Sequence, residues 1–395
     1  MREIHLENTV ILKTDARGAF PGSSFNREAA ENAFRFHKSL PMYQRTELVS
    51  LDEAARQCGV KAILLKDEST RFGLKAFKSL GGSYAVFRIL CDRLGLDHTK
   101  AVFRDFLTEE SQKRCREVVF VTATDGNHGK GVAWASRLFG CKAHVYMPAG
   151  SAEARRKAIA DAGAESAVIT DLNYDQVVEY ASRMAEEKGW ILIQDTAWDG
   201  YETIPHWIIE GYLTMGEEVC EQLAGMIPTH VFLQAGVGAM AGGMLGYLSN
   251  QYAESEPVFI IVEPSAVACL YESAKAGDGR VHSILGDPVT IMAGLNCGTP
   301  CSITWPVMRD RAAFYCACTD AVSERAMRAL AHPPEGSNAV VSGECGAVTF
   351  GAFLEIAKDE EARRALGIDE DSVILLFSTE GNTDPEGYAR IVSEH

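Results

Sequence analysis

From residue 118 the chain alternates short, almost wholly apolar runs with longer stretches in which apolar residues recur at three- and four-residue spacing. The first kind reads as buried strand and the second as amphipathic helix. The pattern predicts strands at 118–124, 142–147, 166–170 and 190–195, with helices at 129–140, 151–163 and 172–189 between them. Strand–helix alternation with short glycine-containing connections implies parallel strands joined by right-handed crossovers. A second series starts at THVFLQAG (229–236) and runs through a Gly/Ala-rich helix, VFIIVEP (258–264), the helix AVACLYESAKAG and AAFYCACT (312–319). It closes with helices at 321–331 and 344–358 and a last apolar strand, SVILLFST (372–379). The N-terminal part is less regular, with predicted helices at 25–39 and 51–58 and a strand at KAILLKDE (61–68). Two α/β units in one chain are expected, with no repeat, low-complexity tract or long linker between them.

Composition narrows the function. A chain of 395 residues, 47% of them hydrophobic, can bury a large core. Its net charge of −16, without a Lys/Arg cluster, argues against a nucleic-acid partner. No apolar stretch approaches the ~18 residues that span a bilayer, and MREIHLENTVILKTD has no signal-peptide core, so no membrane partner and a cytoplasmic location are expected. The eleven cysteines include no C-x-x-C pair, and Cys316 and Cys318 alternate with alanines as in a strand. Buried free thiols are the expectation; the odd count and the compartment argue against a redox role for Cys269 and Cys297. No metal-ligand constellation is present.

In open α/β sheets ligands sit beyond the carboxyl ends of strands, and four strand ends carry unusual residues. In RFGLKAFKSLGGSYAVF (71–87), Lys78 lies among apolar and small residues; in a low-dielectric pocket a lysine becomes a usable nucleophile for Schiff-base formation. In QAGVGAMAGGMLGYL (234–248), glycines between a strand and a helix suit a phosphate, although close helix packing would use them too. The turn TATDGNHGKG (122–131) places Asp125 before a helix N-terminus, where a carboxylate serves either as a cap or as a chemical group. SVILLFSTEGNTDPEG ends a buried strand in hydroxyls, which satisfy backbone groups or meet a ring nitrogen. A lysine, a phosphate cradle, an Asn-bearing turn and a strand-end hydroxyl together point to pyridoxal 5'-phosphate.

Through LKDESTRFGLKAFKSLGGSYA, ATDGNHGKGVAWA, QDTAWDGYETIPHWIIEGYLTM, VEPSAVACL, TIMAGLNCGTPCSITW, SGECGAVTFG and STEGNTDPEGY the chain resembles the fold type II (tryptophan synthase β-like) pyridoxal-phosphate enzymes. The resemblance implies two open, twisted, mainly parallel sheets with helices on both faces. It implies a large cofactor-binding domain of residues 1–88 and 201–395, a small domain of residues 89–200 inserted in it, and a homodimer. It also implies roles. Lys78 forms the Schiff base, Asn127 contacts the ring hydroxyl oxygen, Gly236, Val237, Gly238, Ala239 and Met240 hold the phosphate, and Thr379 faces the pyridine nitrogen. Ser79, Thr124 and His128 contact the substrate. Threonine dehydratases and serine racemases of this architecture carry a small or hydroxyl residue in place of Asp125 and GGGGL in place of GVGAM; Asn382 and Cys345 stand where Asp and Ser are expected. The activity implied is α,β-elimination of 2,3-diaminopropionate to pyruvate and two ammonia. Asp125 and Asp195 are then candidates to bind the ammonium leaving group, with Lys78 deprotonating the L-isomer and Asp125 the D-isomer. The competing readings are a serine/threonine dehydratase and a non-catalytic amino-acid-binding protein, which would not need Lys78.

Overall fold

The computed structural model describes residues 2–16, 23–124, 126–286, 288–334 and 336–393. The chain divides into two compact units, one drawn from residues 1–27, 45–76 and 215–395, the other from 28–44 and 77–214. Each unit holds one sheet, and both sheets are mainly parallel, as the alternation predicted.

In the first unit, β1 (Arg2–His5), β2 (Thr9–Lys13), β3 (Leu48–Ser50) and β4 (Ala62–Asp67) precede the second unit's strands in the chain. The second unit contributes β5 (Val119–Ala123), β6 (Lys142–Met147), β7 (Ser166–Ile169) and β8 (Ile191–Leu192). The first unit resumes with β9 (His230–Gln234), β10 (Val258–Pro264), β11 (Phe314–Cys318) and β12 (Val373–Ser378).

The first unit's sheet runs β1-β2-β11-β10-β9-β12-β4-β3. Its centre, from β11 to β4, is parallel, and the short strands at both edges are antiparallel. Strands β9, β11 and β12 are buried at every position, which is why they read as unbroken apolar runs. The second unit's sheet is β7-β6-β5-β8, parallel throughout.

The strand predicted at 190–195 is ordered as β8 for only two residues. One more backbone bond follows, Ile193 N–H to Val121 O at 2.9 Å, and side chains then replace the ladder. Tyr201 Oη receives the Gln194 N–H at 2.8 Å and donates to Leu192 O at 2.9 Å, while Gln194 Oε1 accepts the Ala123 N–H at 3.2 Å. Within the second unit the helix Lys78–Leu94 packs on the helix Asn127–Phe139. A Cβ on Gly82 would stand 3.1 Å from Gly131 C, and one on Gly131 would stand 3.0 Å from Ser79 Cα. Only glycine allows that approach. Among the described residues no helix is long and apolar enough to cross a membrane.

Candidate active site

Each sheet has one place where the strand order reverses, and ligand sites of open α/β sheets lie there, beyond the carboxyl ends. In the second unit the chain moves outward from β5 through β6 to β7 and returns to β8 on the other side of β5. The residues that follow β5 and β8 are Thr124 to His128 and Asp195.

The turn after β5 is built by Thr124. Its Oγ1, buried, accepts the N–H of Gly126 at 3.0 Å and of Gly129 at 3.2 Å. These bonds do the work of a helix cap, and the N-cap residue Gly126 has no side-chain cap of its own. Both acceptor positions of the hydroxyl are thereby used, so what Thr124 can still offer is its proton. Gly129 is needed for packing: a Cβ there would meet Thr124 Cγ2 at 2.2 Å and Val145 Cγ1 at 2.9 Å. The helix begins at Asn127, two residues before the predicted start, so Asn127 and His128 belong to its first turn. Asp125 lies outside the described residues.

Lys78 opens the helix Lys78–Leu94, and Ser79 after it is buried against Gly131. Lys78 Nζ donates to Asp195 Oδ2 at 2.6 Å. Asp195 Oδ2 is also 3.7 Å from His128 Nδ1, and His128 Nε2 donates to Ile193 O at 2.9 Å. Burial by itself would raise the Asp195 carboxyl. The charges of His128 and Lys78 and the Lys78 hydrogen bond outweigh it and hold that carboxyl well below the usual carboxylate range. Asp195 is therefore an anion holding an ammonium, and this pairing, not a turn cap, is what its side chain makes.

In the first unit the chain moves from β9 through β10 to β11, while β12 and β4 lie on the other side of β9. The reversal is at β9 and β12, whose carboxyl ends lead into Gly236–Met240 and Thr379. Gly238 has φ +88°, and a Cβ on it would stand 2.5 Å from Met308 Cε. On Gly236 a Cβ would come within 3.1 Å of the Leu295 backbone. Glycine at these two positions lets the turn pack closely on Leu295 and Met308. The helix Ala239–Gln251 follows, and its first ladder donor is Gly242 N–H, to Gly238 O at 2.8 Å. The amides ahead of it have no intrahelical acceptor and present an anion-binding end.

Gln234, which the sequence reading passed over, closes this group. Its Nε2 donates to Phe377 O at 2.8 Å, Thr379 Oγ1 at 2.9 Å and Cys345 O at 3.2 Å. Its signal in the sequence was the one that marked Thr379: a polar residue ending a wholly apolar strand. Cys269 Sγ lies 3.4 Å from Cys297 O, and burial pushes its thiol well up, which suits an inert sulfur.

Each unit by itself carries chemistry that suits part of pyridoxal phosphate: the second a lysine beside a carboxylate, for an aldehyde, and the first a glycine turn leading into a helix N-terminus, for a phosphate. Among the described residues no cluster of three or more His, Cys, Asp or Glu is placed to hold a metal.

Comparison with known proteins agrees. Residues 40–379 match the family described as pyridoxal-phosphate dependent enzyme. Diaminopropionate ammonia-lyase of Salmonella typhimurium is 46% identical over 377 residues, 94% of this chain and 93% of that protein. The crystal structure of Escherichia coli diaminopropionate ammonia-lyase in complex with D-serine has a TM-score of 0.90 at 40% identity, covering 99% of this chain and 98% of that one. The same enzyme in complex with an aminoacrylate-PLP azomethine reaction intermediate gives 0.89 at 41% identity and the same coverage.

Proposed function

Since the chain belongs to the pyridoxal-phosphate dependent enzymes, and among them to the diaminopropionate ammonia-lyases, we propose that it eliminates ammonia from 2,3-diaminopropionate, giving pyruvate and a second ammonia. Bound, the cofactor supplies an aldehyde for the substrate amine and a ring that withdraws the electron pair left when Cα loses its proton.

The observation that carries the substrate assignment is the Lys78–Asp195 pair at 2.6 Å. Asp195, which already pairs with one ammonium, would hold the substrate's β-ammonium in the same way. The β-substituent of diaminopropionate leaves as ammonia and is cationic beforehand, so a carboxylate beside the reacting lysine binds it by a charge-assisted hydrogen bond. A hydroxyl leaving group has no such need.

The remaining roles follow from what each side chain can offer. Lys78 Nζ would hold the cofactor and, as a free amine, would take the Cα proton of the L-isomer. Asp125 does the same for the D-isomer. Thr124 offers its hydroxyl proton to the substrate carboxylate, alongside Ser79 and the backbone at His128. Asn127 binds the ring oxygen, the Gly236, Val237, Gly238, Ala239 and Met240 backbone the phosphate, and Thr379 the ring nitrogen. Loss of ammonia leaves an enamine that water hydrolyses to pyruvate.

The same reading makes residues 1–88 with 201–395 the large cofactor-binding domain and 89–200 the small one, and the molecule a homodimer in the cytoplasm. All eleven cysteines are free, which supports a reducing compartment. The test is pyruvate release from L- and D-diaminopropionate, serine and threonine, with Lys78→Ala as control. Both diamino isomers are expected to turn over fastest; a faster rate with threonine overturns the assignment. Light scattering at twice the chain mass is the expected result for the dimer.

A further inference from the structure

The amide of Gln234 has only one workable orientation. Phe377 O and Cys345 O lie 2.8 and 3.2 Å from Nε2, so turning the amide over would set Oε1 against two carbonyl oxygens. The group next to Thr379 Oγ1 is therefore a donor. That orientation is kept although Gln234 Oε1 is buried with no hydrogen-bond partner among the described residues, an arrangement that costs stability. Gln234 and Thr379 are both almost fully buried, 2% and 3% exposed.

A threonine hydroxyl has one proton to give and two lone pairs to receive. Thr379 Oγ1 receives from Gln234 Nε2 at 2.9 Å, and an amide nitrogen cannot accept in return. No acceptor for the Thr379 proton occurs among the described residues. The hydroxyl is thereby left as an outward donor at the carboxyl end of β12, where the strand order reverses.

We propose that Gln234 is a positioning residue that fixes the sense of Thr379's hydrogen bond, so that the group meeting Thr379 must be an acceptor, here an unprotonated pyridine nitrogen. The inference rests on the assignment of Thr379 to the ring nitrogen made above. Its consequence is chemical. A neutral ring draws the Cα electron pair in less strongly, and expulsion of the β-substituent competes better with protonation at the cofactor. Thr379 without Gln234 could turn its hydroxyl either way; the glutamine removes the choice.

The test uses holoenzyme reconstituted with cofactor labelled with nitrogen-15 in the ring, read by nuclear magnetic resonance. In wild type the ring resonance is expected at the unprotonated position, unchanged from neutral to mildly alkaline pH. Gln234→Glu keeps the shape but offers Thr379 an acceptor, and Gln234→Met removes the donor altogether. Both are expected to move the resonance toward the protonated position and make it titrate. A protonated nitrogen in wild type overturns the proposal, as does either variant binding the cofactor with the wild-type resonance. Failure of both variants to hold the cofactor also overturns the proposal, because a residue that only orients the Thr379 hydroxyl leaves the phosphate and lysine contacts intact. Loss of packing at Gln234 would weaken cofactor binding without moving the resonance. If wild-type protein shows no borohydride-sensitive absorbance band at all, the cofactor reading itself fails, and that outcome is distinct from the others.

Discussion

Whether Asp125 is free for chemistry depends on who caps the helix Asn127–Phe139, and Thr124→Val asks the question directly. Valine keeps the volume and the γ-methyl that lies over Gly129, so the change removes an oxygen and little else. Two amides lose their acceptor. Gly129 is buried, and an unsatisfied buried N–H costs about 1–3 kcal/mol; Gly126 is half-buried and recovers part of its loss from water. Together with the ~0.5–2 kcal/mol typical of lost N-caps, this puts the expected destabilisation near 2 kcal/mol, roughly thirty-fold in a local opening equilibrium. Native-state hydrogen exchange at Gly126 and Gly129 reads the effect where it arises, and urea unfolding reads the total. Thr124→Ser keeps the oxygen and should lose less than about 1 kcal/mol, chiefly from the missing methyl. Asp125→Asn should leave stability within ~0.5 kcal/mol while impairing turnover of the D-isomer. If Asp125→Asn speeds exchange at Gly129 as much as Thr124→Val does, the carboxylate is part of the cap, and its reservation for catalysis is wrong.

Other sites give independent checks. Glu263 is fully buried; burial raises its carboxyl more than the amides of Leu270 and Tyr271 lower it, and it is pushed up to about 8 from 4.5. The folded protein thus binds this proton more tightly than the unfolded chain does. The associated stability is complete below about 4.5 and lost as pH rises through about 8, on the order of a few kcal/mol at ~1.4 per unit. Glu263→Gln should flatten the urea-unfolding free energy across that window, and a slope equal to wild type would contradict the assignment. Glu218 accepts from both Arg71 Nη atoms and from Lys66 Nζ at 2.7–2.8 Å, with Glu68 as the second anion, and all four side chains are buried. Glu218→Gln should cost about 3–5 kcal/mol by stranding two cations on one carboxylate, and added salt should not restore it. Gly238→Ala forces a side chain into φ +88° beside Met308. It should destabilise the fold by ~1–2 kcal/mol through backbone strain and, by shifting the turn off Met308, weaken pyridoxal phosphate binding in an absorbance titration; unchanged affinity would remove this turn from the phosphate site.

What the sequence made legible was whatever it wrote contiguously. The run at 258–264 became β10 at those residues, buried on both faces, and 142–147 became β6, whose Ala143, Val145 and Met147 alternate with more exposed residues. Lys78, Asn127 and the Gly236–Met240 turn each sit in a strand–turn–helix context that a local pattern reveals. The edge strands β1 and β2 escaped notice, being four and five residues long and anchored by pairing to β11 some three hundred residues away. The buried Arg71–Glu218 pair escaped for the same reason: charges in KDESTRFG read as surface until a partner 147 residues on is known. Asp195 was found as a carboxylate but not as the partner of Lys78, 117 residues distant. Gln234 was missed altogether, although HVFLQ and VILLFST each end an apolar strand in a polar side chain. The physical link is topological. A parallel strand buried along its length carries a polar residue most cheaply at an end, where partners outside the ladder are within reach, and where the strand order reverses two carboxyl ends become neighbours. Apolar strands that end in a hydrogen-bonding side chain should therefore be read as pairs across a reversal, and it is the pairing, Gln234 with Thr379, that gives each of them its chemical sense.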